Sequence, residues 1–284
     1  MLTIVYNFPK ALLWECDWIE YLFKDIPHKT VENLDHSLVF NNSIVVYPHF
    51  HRSNCDDYLK KLDSMNMRYG LIHLSDELQT PNLLPECQIV YLKSGFVLRN
   101  YFRESMADNV LHFPLGYISG FANISTIKDI TKRTYCWTMI SARWDENRQK
   151  MADALNIVPN GRLHIASEEG GSLSPGRMSR IYRDSIFIPC PAGNFTIDTF
   201  RVTEALEAGS IPLVEKNEYW IKSYGPDFPG IQVDSWDDAA ILMIHLAADE
   251  DALRRHYEES QAWWVNRKNK TIESIKSLVL KTFN

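Results

Sequence analysis

Short unbroken apolar runs, separated by stretches with helical spacing, constrain this chain more than any other feature. LTIVY (2–6), SIVVYP (43–48), YGLIHLS (69–75), QIVYLK (88–93) and VLHFPLG (110–116) recur through the first half. YCWTMIS (135–141), GRLHIAS (161–167), IFIPCP (186–191) and SIPLV (210–214) recur through the second. A strand with one wet face alternates apolar and polar residues, whereas a run without alternation is covered on both faces. Between the runs, NCDDYLKKLDSMN (54–66) puts Tyr58, Leu59, Leu62 and Met65 at helical spacing. Helices are also expected near 146–155 and 178–185, across TFRVTEALEA (199–208), and from Asp237 to the end in two or three pieces. Strands alternating with helices build βαβ units and a parallel sheet.

The 284 residues suffice for two domains. The polar segment NISTIKDITKRT (123–134) is the expected hinge. The predicted architecture is therefore α/β, with two Rossmann-like parallel-sheet halves facing a cleft and a helical C-terminal tail. Residues 1–125 are expected to form the first domain, 135–250 the second, and 251–284 a helical tail packing back on the first. In such sheets ligands bind beyond the carboxyl ends of the strands.

A net charge of −6 argues against a protein whose affinity comes from broad phosphate neutralisation, so no nucleic-acid partner is expected. No run approaches the ~20 apolar residues that span a bilayer, and the opening lacks the basic-then-apolar pattern of a signal peptide. The five cysteines (Cys16, Cys55, Cys87, Cys136, Cys190) are scattered with no CxxC, which fits reduced, buried thiols. The expected location is cytoplasmic. AWWVNRKNK (262–270) places two tryptophans beside basic residues. Either they rest on the inner face of a membrane as a peripheral contact, or they pack the last helix across the first half; packing is expected.

One stretch differs from the rest: CPAGNFTIDTFRVTEALEAGSIPLV (190–214). A strand ends at Cys190, Gly193 permits a turn, Asp198 is placed to cap a helix, and Gly209 ends that helix. The N–H groups at the helix start form an anion site. Arg201 adds a guanidinium fork suited to phosphate, and Glu204, one turn on, suits two vicinal hydroxyls. Phosphate plus ribose is what a nucleotide offers. The plainer reading is an exposed i,i+3 ion pair worth ~0.2–0.5 kcal/mol.

The pattern of Cys190, Pro191, Gly193, Thr199, Arg201, Glu204, Ala205, Gly209, Ile211 and Pro212 resembles the C-terminal signature of exostosin-type glycosyltransferases. GLIHLSDE (70–77), FVLRNYF (96–102) and FPLGYISGF (113–121) are similar to segments of the ribitol xylosyltransferase-like branch near that family. TMISARWDENRQK (138–150) resembles the strand and basic loop that open its nucleotide domain. The resemblance implies a GT-B architecture, with residues 1–125 as the acceptor-side domain and 135–250 as the nucleotide-sugar-binding domain, and transfer of a sugar, with inversion, from a nucleotide-sugar, typically a UDP-sugar. The acceptor would be a glycan or glycolipid of a cell-surface or secreted polysaccharide. It implies that Glu204 holds the donor ribose. Arg201, the loop from Asn194 to Thr199, Arg143 and Arg148 would lie near the diphosphate. NFTID departs from the Ser/Arg-rich loop usual in the family.

Transfer needs a base within reach of the acceptor hydroxyl. His73, Asp76 and Glu77 sit at the carboxyl end of a strand, and Asp76 or Glu77 is the expected base. The alternatives are a capping Asp76, a Glu77 in a helical first turn, and a core His73. Arg99 suits an acidic acceptor group, a phosphate or a structural salt bridge, and Gly116 suits a close backbone approach. His49 and His51, two apart, make a metal conceivable, but no third ligand follows from the spacing. No cofactor is required by this chemistry, and a divalent metal is possible without being indicated. Two other classes stay open on the sequence: a nucleotide- or glycan-binding module without turnover, and a nucleotide-sugar epimerase. No GxGxxG follows any strand, which argues against a Rossmann dehydrogenase.

Overall fold

The computed structural model describes residues 1–49, 52–77, 93–102, 108–122, 128–141, 145–166, 172–193 and 195–284. The chain divides into two compact units. One comprises Met1–Leu115 with Lys268–Asn284, the other Gly116–Arg267.

The first unit holds a six-stranded sheet: β1 (Leu2–Tyr6), β2 (His28–Glu32), β3 (Ser43–Pro48), β4 (Tyr69–Leu74), β5 (Phe96–Arg99) and β6 (Val110–His112). The order is β2-β1-β3-β4-β5-β6 and every pairing is parallel. The central strands β1, β3, β4 and β5 are buried at every residue, as their unbroken apolar runs require. Helices α1 (Cys16–Phe23) and α2 (Arg52–Ser64) bury Trp18, Ile19 and Leu22, and Cys55, Tyr58, Leu59 and Leu62. Met65 lies beyond the end of α2 and is exposed. Of the predicted run at 88–93, all but Lys93 lies outside the described residues; the strand found nearby is β5, which the sequence analysis did not mark. The run at 110–116 is shorter than predicted, ending at His112.

The second unit holds β7 (Tyr135–Ser141), β8 (Gly161–Ile165), β9 (Ser185–Cys190), β10 (Ile211–Glu215) and β11 (Ile231–Val233), again all parallel, in the order β11-β10-β9-β7-β8. Its helices are α3 (Glu146–Leu155), α4 (Pro175–Arg183), α5 (Phe200–Ala208), α6 (Glu218–Tyr224) and α7 (Trp236–Ala248). Met139, Met151, Leu155, Phe187, Leu213, Ala240 and Met243 form its core. Both sheets thus have the doubly wound, Rossmann-like order 2-1-3-4-5. The order reverses between β1 and β3 in one unit and between β7 and β9 in the other. A crevice opens beyond the carboxyl ends at each reversal.

Helix α8 (Glu250–Phe283) is a single element. Its residues to Arg267 belong to the second unit, and those from Lys268 to the first. Trp264 is buried and its indole N–H donates to Glu207, 2.8 Å away. Trp263 packs on Phe228 and Tyr224. The two tryptophans therefore pack on the second unit and not across the first, because the aromatic cluster after α6 offers them an apolar surface. In the first unit Ile272, Ile275 and Val279 are buried, and Phe283 meets Phe96 of β5 edge-on. Among the described residues, no helix is long and apolar enough to cross a membrane. Cys16, Cys55, Cys136 and Cys190 are buried free thiols; Cys87 lies outside the described residues.

Candidate functional site

In the second unit, the loop after β9 and the start of α5 stand at the β7/β9 reversal. The hydrogen bond from Gly193 N–H to the Thr196 carbonyl closes the loop at 2.8 Å. A Cβ on Gly193 would meet that carbonyl at 3.1 Å. Close approach, not a left-handed backbone, is what calls for glycine here. The helix is capped by Thr199 rather than by the expected Asp198, and the Thr199 side chain makes no capping bond. Its hydroxyl is buried with no partner among the described residues. Asp198 instead accepts from the hydroxyls of Tyr219 at 2.9 Å and Tyr224 at 2.8 Å. Gly209 ends α5 at φ 74°, in the left-handed region, as expected.

Glu204 is only 3% exposed, which rules out the surface ion pair. Its Oε1 accepts the Ile118 N–H at 3.4 Å. Burial pushes its carboxyl up to about 7, against smaller opposing effects of that hydrogen bond and of the Arg201 charge. Arg201 hydrogen-bonds the buried Tyr182 hydroxyl, and one of its terminal nitrogens, also buried, has no partner among the described residues. Arg148, in the first turn of α3 at the same edge, is buried and paired with Asp145 at 2.6 Å. Gly116 has φ 76°, and its carbonyl accepts from the Thr203 hydroxyl. That bond ties Gly116, at the start of the second unit, to α5. Arg143 and Asn194 lie outside the described residues.

Asp198 is likewise lifted to about 7 by burial, with the two tyrosine hydroxyls pulling the other way. Both carboxyls titrate near 4 in an unfolded chain. Between about pH 4 and 7 the folded unit thus holds more protons than the unfolded one. This stability is full below the unfolded values and is lost as pH rises through 7. The thermal midpoint is expected to fall between pH 5.5 and 7.5, and to fall less in Asp198→Asn and in Glu204→Gln. Identical slopes in all three proteins would remove the two carboxyls as the cause.

In the first unit a second polar cluster gathers at the carboxyl ends of β3, β4 and β5. Asp76 and Arg99, each 1% exposed, form a buried ion pair. Arg99 also lies 3.0 Å from His73 Nδ1, and its Nε–H donates to the Tyr101 carbonyl at 3.2 Å. His49 Nδ1 stands 3.7 Å from the second Asp76 oxygen, and its ring stacks near His73. The turn is fixed by Ser75, at φ 61°, whose N–H donates to the Asn100 side chain. Burial would raise the Asp76 carboxyl, but the hydrogen bond and charge of Arg99, with His73 and His49, hold it below the usual range. Asp76 is therefore a weak proton acceptor. Arg99 and His73 are occupied by this network and are too buried to meet an acceptor.

His49, His73 and Asp76 bring donor atoms within 4.8 Å of one another, a spacing a metal ion could bridge. The guanidinium of Arg99 already occupies Asp76 and His73 Nδ1, and its charge opposes a cation there.

Glu77 is half-buried and close to Glu15, a residue the sequence analysis passed over. Glu15 precedes α1 and is 2% exposed. Burial lifts its carboxyl to about 7, partly offset by hydrogen bonds from its own backbone N–H, Ser75 and Trp14; Glu77 adds to the rise. A glutamate just before an amphipathic helix carries no signal beyond that of an ordinary helix start.

No protein-family model and no curated protein matches this chain. Solved structures do match. The DNA-modifying enzyme β-glucosyltransferase, described with and without its substrate uridine diphosphoglucose, aligns with a TM-score of 0.59 at 13% identity. That alignment covers 98% of this chain and 99% of that one. Anabaena Alr3699/HepE in complex with UDP aligns at 0.58 and 11%, covering 99% of each. An α1,3-fucosyltransferase aligns at 0.56 and 13%, covering 98% and 90%. The fold is that of the GT-B glycosyltransferases: two Rossmann-like parallel-sheet halves with a C-terminal helix.

Proposed function

We propose that this protein is a glycosyltransferase that takes a sugar from a nucleotide-sugar, a UDP-sugar first among candidates. The observation that carries this reading is Glu204. It is a buried carboxylate on the helix that follows the loop at the β7/β9 reversal, with Arg201 beside it. A buried carboxylate calls for hydrogen-bond donors, and the vicinal hydroxyls of a ribose supply two. The diphosphate would lie at the uncapped start of α5, against Arg201 and the Thr199 hydroxyl. Arg148, Arg143 and Asn194 complete this donor site in the proposal.

Departure of the diphosphate is favoured by these fixed donors and charges, with a divalent metal optional. The acceptor, a glycan or glycolipid, would be bound by the first unit. Transfer would proceed with inversion, by direct attack of its hydroxyl. The spaced positions from Cys190 to Pro212 point to the exostosin-like branch. The expected setting is the cytoplasm, at or near the inner face of a membrane, in polysaccharide assembly.

The test is thermal unfolding with UDP, GDP, ADP, CDP and their sugars. A ligand at 100 times its dissociation constant stabilises by about 2.7 kcal/mol. For a chain of this size that is a midpoint shift of roughly 2–4 °C. A shift with one nucleotide class supports the reading and names the donor. No shift with any of them, alone or with Mg²⁺, sinks it.

A further inference from the structure

We propose that His49 is the catalytic base that accepts the proton of the acceptor hydroxyl, and that Asp76, clamped by Arg99, is its positioning residue. The proposal rests on the glycosyl-transfer reading above. His49 directly follows β3, and β3 borders the β1/β3 reversal, where a doubly wound sheet binds its ligand. Within the cluster, Asp76, His73 and Arg99 are each about 1% exposed, whereas the His49 side chain is 13% exposed. Of these four it is the most exposed, and so the best placed to meet a substrate.

The remaining geometry suits the role. Arg99 holds one Asp76 oxygen, which leaves the other directed to His49 Nδ1 at 3.7 Å. A carboxylate at Nδ1 fixes the tautomer that leaves Nε2 able to take a proton, and it stabilises the imidazolium that results. A buried Arg–Asp pair is costly to assemble. Keeping Asp76 ionised beside a histidine gives that cost a purpose. Contacts of 3.7 Å in an unliganded site commonly tighten when substrate binds.

The step balances. The acceptor O–H bond breaks and its proton passes to His49 Nε2. The oxygen's electron pair forms the bond to the anomeric carbon. The bond from that carbon to the diphosphate breaks, and its electrons leave with the nucleotide.

Among the described residues, the ionisable groups shown around His49 are Asp76 after β4, His73 on β4, and Arg99 on β5 beyond Asp76. On α2, which packs on β3, Asp56 is held by the Tyr47 hydroxyl at 2.7 Å. Glu15 and Glu77 are the competing bases.

The experiment measures nucleotide release from the nucleotide-sugar panel, with water and simple sugars as acceptors, across pH 5–9. It compares wild type, His49→Gln, Glu77→Gln and Glu15→Gln, each with its thermal midpoint and nucleotide affinity. His49→Gln is expected to lower turnover at least 100-fold and to abolish the acidic limb of the pH profile, with nucleotide affinity unchanged. That loss is in the range a general base contributes. Turnover of His49→Gln within threefold of wild type, with the limb intact, overturns the proposal while leaving the glycosyltransferase reading in place. So does loss of the limb in Glu77→Gln or Glu15→Gln with His49→Gln unaffected. Activity that a chelator removes and a divalent metal restores only when His49 is present also overturns it, in favour of a metal centre. No nucleotide binding and no release by wild type overturns both.

Discussion

Arg99→Met is expected to destabilise the protein by about 3–5 kcal/mol, the cost of removing one partner from a buried ion pair. The guanidinium is fully buried and binds three partners: His73 on β4, Asp76 in the turn after it, and the Tyr101 carbonyl just past β5. Methionine keeps most of the volume but strands the Asp76 carboxylate away from water. That carboxylate must then protonate or remain unsatisfied, and either is unfavourable at neutral pH. Adding Asp76→Leu removes the stranded charge, so the double variant is expected to regain much of the loss. Replacing whole buried pairs by apolar residues is often neutral. Denaturant unfolding of wild type, single and double variants decides the matter. A single variant within 1 kcal/mol of wild type would mean that the pair is not buried as described, and the positioning role of Asp76 would lose its basis.

The second large effect is on donor affinity. Glu204→Ala is expected to weaken nucleotide binding about 10- to 100-fold, since hydrogen bonds to a charged group contribute about 1.5–3 kcal/mol. The ribose hydroxyls would donate to an ionised carboxylate, yet burial holds this carboxyl near 7. Binding therefore favours the deprotonated form, and wild-type affinity should improve as pH rises from 6 to 8. Glu204→Gln, with nothing to titrate there, should show a flat profile. Calorimetry at three pH values reads both effects. Undiminished affinity in Glu204→Ala would remove this residue from the donor site.

How much of this was legible beforehand depended on burial. Central strands with both faces covered, such as IVVYP within β3 or IFIPC within β9, announce themselves as unbroken apolar runs. The edge strand β2, HKTVE, is nowhere fully buried and carries no such run, so nothing marked it. The three-residue β11 is too short to show a pattern. The helix expected near 178–185 starts earlier, at Pro175, where the missing N–H of proline costs nothing. Arg201 and Glu204 were visible because both lie on one helix of a single strand–loop–helix unit, although their partners Tyr182 and Ile118 come from outside it. The Asp76–Arg99–His49 network was not, since its members are brought together only by adjacent strands of the sheet. Sequence placed the base on Asp76 or Glu77, and only the position of Arg99 shows why the first of these carboxylates is a poor one. Asp198 resembled a helix cap, but the two tyrosines that claim it come from α6, more than 20 residues on.

The first unit is assembled from both ends of the chain, with Phe283 against β5 and a Thr282 methyl where a Gly95 side chain would stand. During synthesis the six strands of its sheet precede the turns of α8 that cover Phe96, with the whole second unit made in between. The second unit, continuous from Gly116 to Arg267, is complete before then. A nascent chain grown only as far as Arg267 would thus carry a complete second unit beside a first unit whose apolar surface around Phe96 still awaits the last turns of α8.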